Sequence, residues 1–223
     1  MIQNDLVGLA LVYIYVAILL IITEKILDKY PTASRKILHI MTGNIAFLLP
    51  IFQTKEVMAF LVAGPFILFT FLMSPYSPIK SIKSKTSSAG HGMGLVYYAI
   101  SWTILAYIFF DHMVVIAIAI FAMSYGDGFA SLLGMKFGKR KYKMFGDQKS
   151  YFGSISMFIF TFAMIVIAFL YYGLDITSYK LLIIAFIAMA AAIIEAITPR
   201  GLDNLSVPLS ISAIYWFLLI YGS

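Results

Sequence analysis

The stretch MVVIAIAIFAMSYGDGFASLLGMKFGKRKYKMFGDQKSYFGSISMFIFTFAMIVIAFLYYGL, residues 113 to 174, decides how this chain folds. Its first part, 113 to 135, holds a single charged side chain, Asp127, and its last part, 150 to 174, holds none. Between them, residues 136 to 149 collect 6 of the chain's 16 Lys and Arg. About 20 apolar residues make a helix long enough to cross the hydrocarbon of a bilayer, and a helix satisfies its own backbone there. The stretch therefore reads as two membrane-spanning helices joined by a basic surface loop.

The same pattern runs outward in both directions. Residues 6 to 23, 57 to 79, 86 to 110 and 204 to 223 are free of Asp, Glu, Lys and Arg, while 37 to 54 carries only His39 and Lys36 stands just before it. Segment 179 to 197 spans if Lys180 and Glu195 sit near its ends. The expected fold is all-α and polytopic, about eight transmembrane helices with short loops, a single membrane-embedded domain over 1–223. Composition agrees: the chain is 62% hydrophobic and 12% charged, with mean hydropathy +0.95, where a soluble domain carries about 25% charged residues. The first run is of full membrane length and no A-x-A-like site follows it, so it reads as a helix rather than a cleaved signal. With no cysteine, disulfides, thiolate zinc sites and cysteine nucleophiles are excluded.

Lys and Arg are retained on the cytoplasmic side of short loops. With eight helices, the loops on one side hold 14 of the 16, and only Lys55 and Lys180 fall opposite. The split predicts cytoplasmic loops 1–2, 3–4, 5–6 and 7–8, with both termini outside. Loop 3–4, SPYSPIKSIKSKTSSAGHGMG, is rich in Pro, Ser and Gly and reads as an irregular segment able to cover a site.

Polar residues gather on that face. Lys36, His39 and Gly43 in RKILHIMTG share a helix face; they suit a phosphate tail, or equally a topogenic anchor with a packed histidine. From Asp127, the positions Ala130, Gly134 and Gly138 form one helical stripe of small residues, which admits a ligand or a neighbouring helix. An acid there is a functional candidate by default. Lys139, Arg140, Lys141 and Lys143 suit anionic lipid headgroups. Lys149, Ser150 and Gly153 stand at a helix entrance, where free N–H groups bind phosphate. Glu195, Asp203 and Asn204 in EAITPRGLDNLSVPL offer the hard oxygen ligands that Mg²⁺ takes, or are interfacial polar groups. His91, in GHGMG, is a weaker candidate. Neither a Walker A loop nor HExxH is present. Cations, carboxylates and a glycine-rich surface on one face describe a site for a metal-bound polyphosphate, with a lipid alcohol as the plausible acceptor.

In their order along the chain, RKILH, DGFASLLGMKFG, KSYFGS and DNLSVPL resemble the polyprenol kinase family, which includes dolichol, phytol and farnesol kinases, with its D-x-x-A-x-x-x-G-x-x-x-G pattern. The likeness spans residues 35 to 209. It implies a CTP-dependent transfer of phosphate to an isoprenoid alcohol, with Mg²⁺ as cofactor. Its implied catalytic residues are Asp127, Glu195 and Asp203, with Asp127 and Asp203 as metal ligands. Lys36, His39, Ala130, Gly134, Gly138, Lys149, Ser150, Gly153 and Asn204 become nucleotide and phosphate contacts. Three positions depart from the pattern: Phe152 for Glu, Ser150 for Thr, Gln148 for Lys. A CDP-lipid-forming cytidylyltransferase, or a small transporter with acids along its path, are the competing readings. No nucleic-acid partner is expected, and a homo-oligomer is compatible with the sequence.

Overall fold

The structure is a computed structural model that describes residues 3–79, 81, 83–84, 92–145, 147–199 and 201–221. The chain divides into two compact units, Met1–Met113 and Val114–Ser223.

In the first unit, α1 (Gln3–Ile21) widens into a π turn at Ile22–Ile26. α2 (Pro31–Thr42) begins on a proline, whose missing N–H is harmless in a first turn, and tightens into a 3₁₀ run at Gly43–Ile51 that contains Pro50. A second π turn at Val57–Ala63 leads into α3 (Gly64–Met73), and α4 covers Gly94–Ile108. Hydrogen bonds tie α1 to its neighbours: the Tyr13 hydroxyl donates to the Leu61 carbonyl and the Tyr15 hydroxyl to that of Met41, both at 2.8 Å. Asp5 is fully buried and accepts from the Gln53 N–H at 2.8 Å and from the Thr54 hydroxyl. An apolar cavity between these helices is lined by Val12, Leu38, Met58, Phe66 and Trp102.

The second unit opens with α5 (Met113–Phe121), where every side chain from Val115 to Phe121 is fully buried. The helix widens at Ala122–Asp127 and continues as α6 (Gly128–Phe137). An antiparallel hairpin follows, β1 (Lys141–Met144) and β2 (Asp147–Ser150), paired from Lys141↔Ser150 to Met144↔Asp147. Then come α7 (Tyr151–Tyr171), α8 (Ser178–Ile197) and α9 (Asp203–Tyr221). Among the described residues the architecture is thus helical, with one small hairpin where the sequence read as a loop.

Among the described residues, four helices are long and apolar enough to cross a membrane: Gln3–Ile26, Phe110–Phe137, Tyr151–Tyr171 and Ser178–Ile197. Val57–Met73 and Gly94–Ile108 are shorter apolar helices. Each of the eight expected segments contains helix, yet several are shorter than their apolar runs. Segment 57–79 ends its helix at Met73 because Pro75 and Pro78 follow in the charge-free SPYSP. In segment 37–54 the helix tightens after Thr42. Part of loop 3–4, residues 80, 82 and 85–91 with His91 among them, lies outside the described residues.

Candidate active site

Three breaks in helical regularity bring three carboxylates together in the second unit. Asp127 is the last residue of the wide turn Ala122–Asp127, and such π-bulges recur at functional sites because they re-aim one side chain. Glu195 lies in the last turn of α8, which stops before Pro199. Gly201, at φ +80°, a region that glycine enters without strain, reverses the chain and delivers Asp203 as the first residue of α9. Asp203 Oδ1 accepts from the Asn204 N–H at 2.9 Å, and an acid in the first turn is favoured by the helix dipole. One carboxylate oxygen from each of Asp127, Glu195 and Asp203 lies within 4.8 Å of the others. Asp127 and Glu195 are buried, Asp203 partly so.

Lys149 brings a positive charge to this cluster. β2 carries it to the end of α8, where Nζ donates to Glu195 Oε1 at 2.7 Å and to the Glu195 carbonyl. Ionised carboxylates this close repel one another strongly in a poorly solvated site. A divalent cation offsets that repulsion. The donor set is all hard oxygen, and its atoms lie within 4.8 Å of one another, within reach of the ~3.0–4.2 Å between ligands of an ion bound at ~2.1 Å. These residues therefore fit Mg²⁺.

The small-residue stripe runs beside the cluster and admits a backbone. A Cβ on Gly134 would meet Ser150 Oγ at 2.8 Å and Gly153 Cα at 3.2 Å, and one on Gly138 would meet Ser150 Oγ at 2.5 Å. One on Gly153 would meet the Ala130 carbonyl at 3.0 Å. Ala130, Gly134 and Gly138 thus let the entrance of α7 press against α6, which fixes where β2, and with it Lys149, lies. Ser150 caps α7: its hydroxyl accepts the Gly153 N–H at 3.0 Å, a frequent device for an otherwise orphaned donor.

Asn204 is buried in the first turn of α9. Lys36 and His39 belong to the first unit, where His39 is buried with its ring edge-on to Tyr98 at 4.9 Å; the carboxylate cluster is assembled from the second unit. Sequence reasoning missed the clasp from the hairpin to α7, in which the Tyr142 and Ser154 hydroxyls share a 2.7 Å hydrogen bond. The alternation of Lys and apolar residues in KYKM was its one signal.

Among known proteins, no family model and no solved structure matches the chain. It is 32% identical over 216 residues to the phytol kinase of Synechocystis sp., covering 94% of this chain and 90% of that one. It is 34% identical over 194 residues to the chloroplastic phytol kinase 1 of Arabidopsis thaliana, covering 79% of this chain and 63% of the plant protein. A probable chloroplastic phytol kinase 1 of Oryza sativa is 30% identical over 210 residues, 85% of this chain and 65% of its own length. With a similarity that takes in nearly the whole of both the bacterial relative and this chain, the protein belongs to the phytol kinase family.

Proposed function

We propose that the protein is a membrane-embedded kinase that moves the γ-phosphate of CTP onto the hydroxyl of an isoprenoid alcohol of the phytol, geranylgeraniol or polyprenol type. The observation that carries this reading is the kinship to phytol kinases along nearly the whole chain; the carboxylate cluster on Lys149 supplies a place for the chemistry. CTP as donor follows from the family resemblance.

In this reading the alcohol oxygen attacks the γ-phosphorus in line, the bond from that phosphorus to the β–γ bridging oxygen breaks, and CDP leaves. Asp127 and Asp203 would hold Mg²⁺, which when bound supplies charge neutralisation for the polyphosphate. Lys149 holds Glu195 in a fixed orientation and adds a positive charge beside the transferred group. Asp203, the least buried of the three carboxylates, would take the proton of an incoming hydroxyl on the carboxylate oxygen that does not hold the metal. Ser150, Gly134 and Gly138 set the entrance of α7 against α6. Eight passes, both termini outside, a cytoplasmic site and contact with anionic headgroups complete the proposal, on the strength of the basic-residue asymmetry.

The test is purified protein with Mg²⁺, γ-labelled CTP or ATP and a panel of farnesol, geranylgeraniol, phytol and a dolichol, with Asp127→Asn alongside. Label passing from CTP to an alcohol, with CDP formed and the variant inactive, is the expected result. Release of pyrophosphate would instead mean a cytidylyltransferase, and label from ATP alone would overturn the donor.

A further inference from the structure

Apart from Lys149 and Ser150 in β2, the hairpin has no part in the reaction as proposed, and its surroundings constrain what it meets. It joins two helices of membrane length, Phe110–Phe137 and Tyr151–Tyr171, so only residues 138 to 150 are available to leave the membrane surface. At ~3.3 Å per extended residue its tip lies within about 23 Å of the hydrocarbon edge. It is also tied down at two points. Tyr142, in the middle of β1, shares a hydrogen bond with Ser154 in the first turn of α7, and its ring lies 5.1 Å from that of Tyr151. Lys149, opposite Tyr142 in the ladder, is clasped by Glu195.

What these ties leave outward is basic and aromatic. Lys139, Arg140, Lys141 and Lys143 are exposed, and among the described residues none has a carboxylate partner. Phe145, at the turn, is 71% exposed and holds φ +46°, a conformation that a bulky residue rarely adopts. In water this arrangement would leave an aromatic ring wet. At a headgroup layer the ring and the cations both have a use: aromatic rings seat at the interface, and clustered Lys and Arg are attracted to anionic lipid.

We propose that the β1–β2 hairpin is a docking element for anionic lipid headgroups, with Phe145 inserted at the interface and Lys139, Arg140, Lys141 and Lys143 on the headgroups. Because β2 carries Lys149, docking also steadies the Lys149–Glu195 contact, so anionic lipid raises turnover. The docking rests on the membrane reading alone; its effect on turnover rests on the kinase reading.

The chain has no cysteine, so Gln148→Cys, at an exposed hairpin position that leaves Phe145 intact, accepts a single environment-sensitive fluorophore. The labelled protein is placed in vesicles of zwitterionic lipid or with about 30% anionic lipid, and quenching by brominated lipid and by aqueous iodide is measured. Brominated-lipid quenching at least about twofold stronger in the anionic vesicles is expected, reduced at 1 M salt, where screening shortens to about 3 Å. The effect should vanish when the four cations become Gln, and weaken in Phe145→Ser. Equal quenching in both lipids, or an unchanged response in the Gln variant, overturns docking. Should that variant fail to fold, the salt titration of the labelled parent decides alone. Phosphate transfer in the same vesicles should rise with anionic lipid in the parent and stay flat in the Gln variant. A rise in nucleotide KM with no change in lipid dependence would reassign these cations to CTP. No transfer under any condition would remove the kinase reading while leaving the quenching result to judge docking.

Discussion

Lys149 Nζ lies 2.7 Å from Glu195 Oε1, and through this contact the hairpin after α6 is joined to the end of α8. Both side chains are nearly enclosed, at 14% and 10% exposure. Removing one partner of such a pair strands the other charge, which costs about 3 kcal/mol or more, whereas removing both can be close to neutral. Lys149→Met should therefore lower Tm in detergent markedly, and adding Glu195→Gln should restore most of it. Activity should not return in the double variant if Lys149 stabilises the transferred phosphate. Thermal melts and transfer rates on the three proteins separate the two roles, and recovery of both together would make the pair purely structural.

Asp203→Asn removes one of three clustered carboxylates. Without metal the substitution relieves like-charge repulsion, so Tm should rise slightly. Added Mg²⁺ stabilises whatever binds it in the folded state, so the parent should gain Tm with Mg²⁺ and the variant should gain much less. Transfer should fall at least about 100-fold, as expected when charge neutralisation at the phosphates is lost. EDTA should abolish parent activity and Mg²⁺ restore it. A metal-induced Tm shift that survives in both Asp127→Asn and Asp203→Asn would remove these residues as ligands.

Gly138→Ala should be worse than Gly134→Ala. The new methyl at Gly138 meets the Gly134 carbonyl as well as Ser150 Oγ and Cβ, whereas at Gly134 the nearest atom is Ser150 Oγ at 2.8 Å. Backbone cannot step aside as a hydroxyl can, and overpacking of this kind costs about 1–3 kcal/mol. Both variants should also reduce transfer, because α7 shifts and β2 moves Lys149 with it. Gly173→Ala is the control: nothing lies within 4 Å of its added methyl, and only the φ of +70° opposes it. Melts of the three variants test the order, and a Gly173→Ala variant as damaged as Gly138→Ala would contradict the packing account.

The helices were legible because apolar length is a property of sequence alone, and the three clustered carboxylates were legible as candidates because Asp127 interrupts an apolar run, Glu195 stands near the end of one and Asp203 just before another. Their ends were less so. Charge-free length carries segment 57–79 past Met73 into SPYSP, although the same residues read as the start of the irregular loop 3–4, with Pro75 and Pro78 as stops. The wide turn at Ala122–Asp127 has no signature in 3.6-residue spacing, since an extra residue in one turn changes no side chain. The stripe from Asp127 nonetheless kept its spacing, because α6 is regular from Gly128 onward. The hairpin was hidden by its charges, which read as a solvated loop, and by the distance in sequence between Lys149 and the Glu195 that holds it. Phe152, standing where the family resemblance has Glu, is half exposed with its ring 5.7 Å from that of Phe137, and the pairing of Lys149 with Glu195 shows a carboxylate reaching this helix entrance from α8.

Asp5 was passed over in the sequence because it precedes the first apolar run, yet it is fully buried and takes hydrogen bonds from the Gln53 N–H and the Thr54 hydroxyl. It fixes the start of α1 to the connection after Ile51. Asp5→Ala leaves these donors without that acceptor, a loss of about 1–3 kcal/mol. Asp5→Asn keeps one acceptor oxygen and should lose less. The proposed catalytic residues all belong to the second unit, so the Mg²⁺-dependent rise in Tm and the transfer rate below the melting range should be preserved in Asp5→Asn. Melts with and without Mg²⁺, together with limited proteolysis at residues 53–55, test this. If Asp5→Ala melted like the parent, the buried carboxylate would have no structural role; if Asp5→Asn lost the Mg²⁺ response while its fold persisted, the metal site would draw on the first unit as well.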